Sequence, residues 1–387
     1  MRKIYLLLAV APFCLYAASK DTLPLQTKTA PTSKETGSIV APKGKGAPEA
    51  APSADPGPKP YVASFGTYGS PRINEAVLKE VLGSDLDVWI KKGLAGDPAS
   101  MDMEKRFIQK LKKKFGFAFA EWSIIQFFEP GALALHMTLD VVEEKDAARR
   151  MPFLPAPTAE LADPGGLIKE WGEYEATAFD LVEAGKLEPE ADRCVALHCP
   201  FGHKQELLKK WEKIFVEGVK KHATALVEVQ AKDKRPEYRA AASYLLAYWI
   251  DQKKKVVEAM IGRIKDPDSM VRNNALRVLG DIAEFHTEVV VPISPVLPAF
   301  DFPRVSDRSK ALYIATVLAP NSAEVRQEIA RTSVPELIAM IQTKQPDQHD
   351  LAYTLLKKVS GKDFPDTDIK AWTAWHKQAG AREISKK

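Results

Sequence analysis

The sequence predicts a mainly α protein, in which a small α+β unit ordered strand–helix–helix–strand–strand precedes an array of paired helices. Three observations carry this. Leu133, Leu135, Met137, Leu139 and Val141 alternate with Ala134, His136, Thr138, Asp140 and Val142, the period of two that a half-buried strand requires. Beyond residue 163, apolar residues recur mainly at helical spacing. Finally, Arg239-Ala-Ala-Ala-Ser-Tyr-Leu-Leu-Ala aligns with Arg272-Asn-Asn-Ala-Leu-Arg-Val-Leu-Gly and with Arg308-Ser-Lys-Ala-Leu-Tyr-Ile-Ala, at offsets of 33 and 36 residues. A fixed period of this size marks repeated supersecondary units.

The first 60 residues stand apart from that plan. Met1-Arg2-Lys3, an apolar run from Ile4 to Phe13, and Cys14-Leu15-Tyr16-Ala17-Ala18 are the parts of a secretory signal peptide over 1–17, cut after Ala17. The run is short for a bilayer span, which needs roughly 17–25 residues, so an uncleaved anchor is the lesser alternative. Phe13 is too bulky where a lipidation signal before Cys14 wants a small residue. Residues 18–60 hold 8 of the 28 prolines and too little apolar surface to offset the entropy of ordering, so they read as a disordered Pro/Ala/Lys linker. If flexible, such a linker reaches on the order of 35–40 Å. It serves either as a plain tether or as a reach across the periplasm or a peptidoglycan mesh.

Charge follows the same division. The net charge of the 387 residues is +4, of which residues 1–17 carry +2 and residues 18–60 another +2. The remaining body is neutral, which removes the basic face that nucleic-acid binding needs. With 45% hydrophobic and 27% charged residues, the chain is ordinary globular material, neither collagenous nor a disulfide-dense miniprotein nor a polytopic membrane protein.

Residues 61–150 form the α+β module. Tyr61 to Thr67 reads as a strand ending in the turn chemistry of Gly66 to Pro71. Asn74 caps a helix with Val77, Leu78, Val81 and Leu82 on one face, stopped by Gly83; Asp85 to Leu94 follows with Leu86, Trp89 and Ile90. A third segment buries Phe107, Ile108, Leu111 and Phe115, turns Lys105, Lys110 and Lys112–Lys114 to water, and ends at Gly116. Phe117 to Phe128, apolar on both faces, reads as the more buried of two strands joined at Glu129-Pro130-Gly131. Gly69 after the first strand, the run Lys113-Lys-Phe-Gly-Phe-Ala-Phe119 and the ending Asp140-Val-Val-Glu143 resemble the POTRA module of bacterial envelope proteins. The resemblance covers under a quarter of the chain. It implies a protein-docking unit that receives strands at a sheet edge.

Residues 151–204 read as a helical connector, with Leu167, Trp171, Tyr174, Ala178 and Leu181 as core. Cys194, His198, Cys199 and His203 invite a zinc reading, but their spacing is too compressed for one tetrahedral ion without a sharp reversal at Pro200. Loss of Cys14 with the signal peptide leaves an even pair in an oxidising compartment. A Cys194–Cys199 disulfide is therefore expected, with free thiols and a metal as alternatives.

Residues 205–387 carry the repeats. Leu208, Trp211, Phe215, Val219 and His222 mark one helix face; Ala242, Ala275 and Ala311, then Leu245, Val278 and Ile314, recur at matching positions. Val256 to Glu284, with its turn Asp266-Pro267-Asp268, resembles a HEAT repeat. The resemblance implies a right-handed α-solenoid with a concave partner surface. It also implies a structural ladder in which Asp233 and Arg239, then Asp266 and Arg272, link neighbouring repeats. The third repeat departs from this: Pro292, Pro295 and Pro298 interrupt its first helix and Asp301 lies seven before Arg308, so a break or bend is expected there. Phe364, Trp372 and Trp375 read as a C-terminal cap, similar to the ending of some bacterial HEAT proteins. A carbohydrate or partner platform is the alternative.

The chain lacks G-x-S-x-G, H-E-x-x-H and P-loop motifs. The expectation is a non-catalytic protein–protein interaction scaffold of the bacterial envelope, periplasmic or associated with the outer envelope. It would bind an envelope protein on the solenoid or the sheet edge, with no cofactor and no nucleic acid. The alternatives are a structural envelope component, or a lyase-like enzyme, since bilin lyases contain similar repeats.

Overall fold

The computed structural model describes residues 59–129, 132–187 and 195–384. The expected signal peptide, nearly all of the expected linker, and Cys194 lie outside the described residues.

Strand β1 (Lys59–Tyr68) opens the module, followed by helices α1 (Glu75–Leu82), α2 (Asp85–Leu94) and α3 (Ala99–Phe115) and strands β2 (Phe117–Glu129) and β3 (Ala132–Glu143). Asn74 caps α1, its side chain accepting from the Val77 amide at 3.0 Å. Gly116 ends α3 in the left-handed conformation. The sheet order is β1-β3-β2, with β1 parallel and β2 antiparallel to β3. One face, with Trp122, Met137, Leu139 and Val141, packs on Leu78, Leu82, Trp89, Phe107 and Leu111 of the three helices.

The expected roles of the last two strands are reversed. β3, with its clean alternation, is central and buried from Met137 to Glu143, whereas β2 lies at the edge and is mostly half-buried. Two polar positions of β3, Thr138 and Asp140, are closed off from water. They are 5% and 1% exposed, because the helical body covers that face.

Gly69, just after β1, has φ +104°, and a Cβ there would run into the Val141 carbonyl and lie 2.6 Å from Arg150 Nη1. We expect Gly69→Ala to cost about 2–3 kcal/mol, read from urea denaturation, because strained backbone and a clash coincide.

After the short helix α4 (Ala147–Arg150), residues 151–163 run extended along the helical body. The Leu154 amide donates to Lys265 O at 2.8 Å, the Lys234 amide to Ala159 O at 2.6 Å, and the Leu161 amide to Asp233 Oδ2 at 2.9 Å. The body comprises α5 (Leu167–Glu183), α6 (Lys209–Lys232), α7 (Pro236–Leu246), α8 (Lys253–Ile261), α9 (Ser269–Phe285), α10 (Val305–Leu318), α11 (Ala323–Thr332), α12 (Val334–Met340), α13 (Pro346–Ser360) and α14 (Ile369–Ile384). Helices α7, α9, α10 and α13 pack in succession. Ala242, Ala275 and Ala311 lie fully buried along that row, where small side chains let neighbouring helices approach. Between α9 and α10 the proline-rich stretch forms no α-helix. A 3-10 turn at Leu297–Asp301 buries Ala299 and Phe300 instead. Among the described residues no helix is long and apolar enough to cross a membrane.

Candidate functional site: a buried charge ladder that ends on the sheet

Three arginines make the same local contacts. Nη1 of Arg239 donates to Asp233 O and Lys234 O, that of Arg272 to Asp266 O and Pro267 O, and that of Arg308 to Phe302 O and Pro303 O. Each guanidinium thereby satisfies two carbonyls of its own repeat's turn, and in Arg239 and Arg272 the remaining donors point to the next repeat. Arg239 forks onto Asp266 at 2.7 and 3.0 Å. Arg272 reaches Asp307 Oδ2 at 2.8 and 3.0 Å. All four of these side chains are buried. Removing one member of such a pair strands a charge away from water.

The expected ladder residues are thus brought together unevenly. Asp266 joins two repeats: its carboxylate takes Arg239, and its carbonyl takes Arg272. Asp233 instead faces Arg235 at 2.7 Å and the Leu161 amide, so it anchors the connector. Burial works to raise the Asp233 carboxyl, but the donors from Arg235 and Leu161 more than offset it and hold it below its usual range. Asp301, the residue expected to stand in the third turn, pairs with Arg149 and Arg150. Asp307, one residue before Arg308 and not singled out by the sequence pattern, takes the ladder position.

At Arg308 the ladder leaves the helices. In the following repeat Nε meets a neutral group, Gln348 Oε1 at 2.9 Å. The charged partner is Asp140 on β3, whose Oδ1 accepts from Nη2 at 2.6 Å while its Oδ2 accepts from Ser123 at 2.6 Å. Arg308 and Asp140 are 0% and 1% exposed. The guanidinium also lies 4.2 Å from the centre of the Tyr68 ring. Tyr68 ends β1, yet it belongs to the core of the helical body. Arg150 completes the seam, donating to Val141 O at 2.7 Å and Asp301 O at 3.0 Å. Burial, as the largest influence, pushes the Tyr68 hydroxyl up and the Arg150 guanidinium down.

The two histidines of the alternative zinc reading point to separate partners. His198 Nδ1 contacts Asp281 at 2.7 Å, and its ring stacks on Tyr244. His203 donates from Nδ1 to Leu208 O at 3.1 Å, leaving Nε2 to accept from Tyr248 Oη at 2.6 Å. Burial lowers its pKa, as suits the neutral ring. No set of three metal-ligating side chains gathers among the described residues. Cys199 Sγ lies 3.5 Å from Tyr248 Oη; Cys194, its expected disulfide partner, lies outside the described residues. At the other end Trp372 is fully buried, its Nε1 donating to Pro365 O at 3.0 Å, and its ring meets Phe364, Tyr353 and Trp375.

Burial pushes the Glu175 carboxyl on α5 up to about 7, against an opposing hydrogen bond from Trp171. The folded chain therefore holds this proton more tightly than the unfolded chain, whose carboxyl titrates near 4.5. That contribution is complete below about pH 4.5 and fades as pH rises through about 7. Glu175→Gln is expected to remove the loss, on the order of 1–3 kcal/mol, which urea titrations of both proteins at pH 5 and pH 8 would read.

No family model and no curated protein sequence matches the chain. Among solved structures, the chain is similar to the designed armadillo repeat protein YIII(Dq)4CqI, at 18% identity over 51% of this chain and 95% of that one, with a TM-score of 0.32.

Proposed function

We propose that the protein is an exported, non-catalytic interaction scaffold of a bacterial envelope, which holds an α+β docking module in fixed orientation on a helical-repeat body. The observation that supports this most is the run of the ladder into Asp140. A buried pair that joins two units fixes their mutual position, and fixed position is what a scaffold contributes. The exported setting rests on the N-terminal sequence. In such an oxidising compartment we propose that Cys199 pairs with Cys194. The POTRA-like strand order of the module is consistent with docking.

The helical body offers a partner surface away from the ladder. Phe285 and Val290, at and beyond the end of α9, are 66% and 82% exposed, and Ile250 beyond α7 is also exposed. Lys253 bridges the two loops through Glu288 and His286, so these apolar residues share one edge. Exposed apolar clusters of this kind mark interaction surfaces.

Crosslinking mass spectrometry in native envelopes tests the reading. The full chain should give one stoichiometric protein partner, and Phe285→Asp with Val290→Asp should abolish its crosslinks to the helical body. Absence of any partner, combined with turnover of a small molecule by the purified chain, would overturn it.

A further inference from the structure

The module contains a cavity of about 380 Å³ that partner binding does not explain. It lies between the sheet and the α2–α3 turn, at the end of the sheet where β1 begins. Its walls include Trp89, Leu94, Met101 and Leu135, and four polar side chains line it: Ser100, Glu104, Gln126 and Asp97, which pairs with Lys92. The volume falls within the range of small-molecule sites.

Gln126 breaks the pattern of its strand. Alternation along β2 puts it on the same face as Trp122 and Ile124, which pack against the helices, so an apolar residue would be expected there. Instead a carboxamide is 5% exposed, with neither its nitrogen nor its oxygen hydrogen-bonded among the described residues. Buried polar groups are ordinarily paired, and an unpaired one is costly. Glu104 makes no ion pair among the described residues. Its carboxyl is raised to about 7 by burial, with the nearby charge of Glu121 adding to the effect.

We propose that this cavity binds a small neutral amphiphile, an apolar chain ended by a carboxamide or peptide group. A side-chain amide presents both a donor and an acceptor, and a carboxamide returns one of each in a single planar head. The apolar walls take the chain. An anionic head would be set beside the acidic Glu104 and Asp97, whose charge Lys92 already meets, and a cationic one would leave the Gln126 nitrogen unpaired, so a neutral head fits best. This proposal stands apart from the partner-binding reading and can fail without it.

Octanamide is the probe, titrated calorimetrically into the full chain, with methyl octanoate (an acceptor without a donor) and octanoate as comparisons. Octanamide should bind saturably with one site and more tightly than either comparison. Gln126→Leu should weaken it about tenfold or more, the size of effect a lost buried hydrogen-bond pair produces, while methyl octanoate holds or gains. Independently of any variant, the Gln126 side-chain NH2 resonances of the unaltered protein should shift on saturation with octanamide. The proposal is overturned if octanamide shows no saturable binding, if Gln126→Leu leaves its affinity unchanged, or if those resonances do not move.

Discussion

Replacing Arg308 by alanine is expected to lower stability by about 3–5 kcal/mol, the cost of leaving a buried carboxylate without its partner. Asp140 would keep only its hydrogen bond from Ser123. The carbonyls of Phe302 and Pro303 would lose their shared donor, and Tyr68 the cation over its ring. Against a typical total of 5–15 kcal/mol, this is a large share. It should fall first on the attachment of the module. The double variant Arg308→Met with Asp140→Leu separates charge from packing. Apolar residues of similar size often replace a buried pair at little cost, so the double variant should recover much of the loss in urea denaturation. If it is no better than Arg308→Ala alone, the stranded charge is not the cause.

Trp372→Ala should produce a loss of similar size, about 3–5 kcal/mol, by a different route. Its indole is fully buried among Tyr353, Phe364 and Trp375 and closes the last apolar face of the repeats. Trp375 is only partly buried against the same core, so Trp375→Ala should cost a fraction as much. Equal effects of the two in thermal melts would contradict the assignment of Trp372 as the closing residue.

The repeats were legible because their signal is local and periodic. The alanines at 242, 275 and 311 and the branched residues at 245, 278 and 314 mark buried helix faces, and each is fully buried. The order strand, helices, strand, strand was legible for the same reason. The seam was not. Asp140 and Arg308 are 168 residues apart, and nothing in the alternation of β3 says that its polar face meets a second unit instead of water. That is also why β3, and not the more apolar β2, is the central strand. Asp307 was hidden by its place one residue before the repeated arginine, where the pattern pointed to Asp301. Gln126 had a signal, a polar residue on a core-facing position, but the surrounding run of apolar residues on both faces of β2 obscured which face that was.

Calorimetry of the full chain tests most directly whether the module and the repeats form one body. Two units joined by a few surface contacts unfold separately, whereas units sharing buried pairs and a core residue unfold together. The prediction is a single heat transition with matching calorimetric and van't Hoff enthalpies in the unaltered protein. In Arg308→Ala it should split, with the module melting first. Two separate transitions in the unaltered protein would contradict the account.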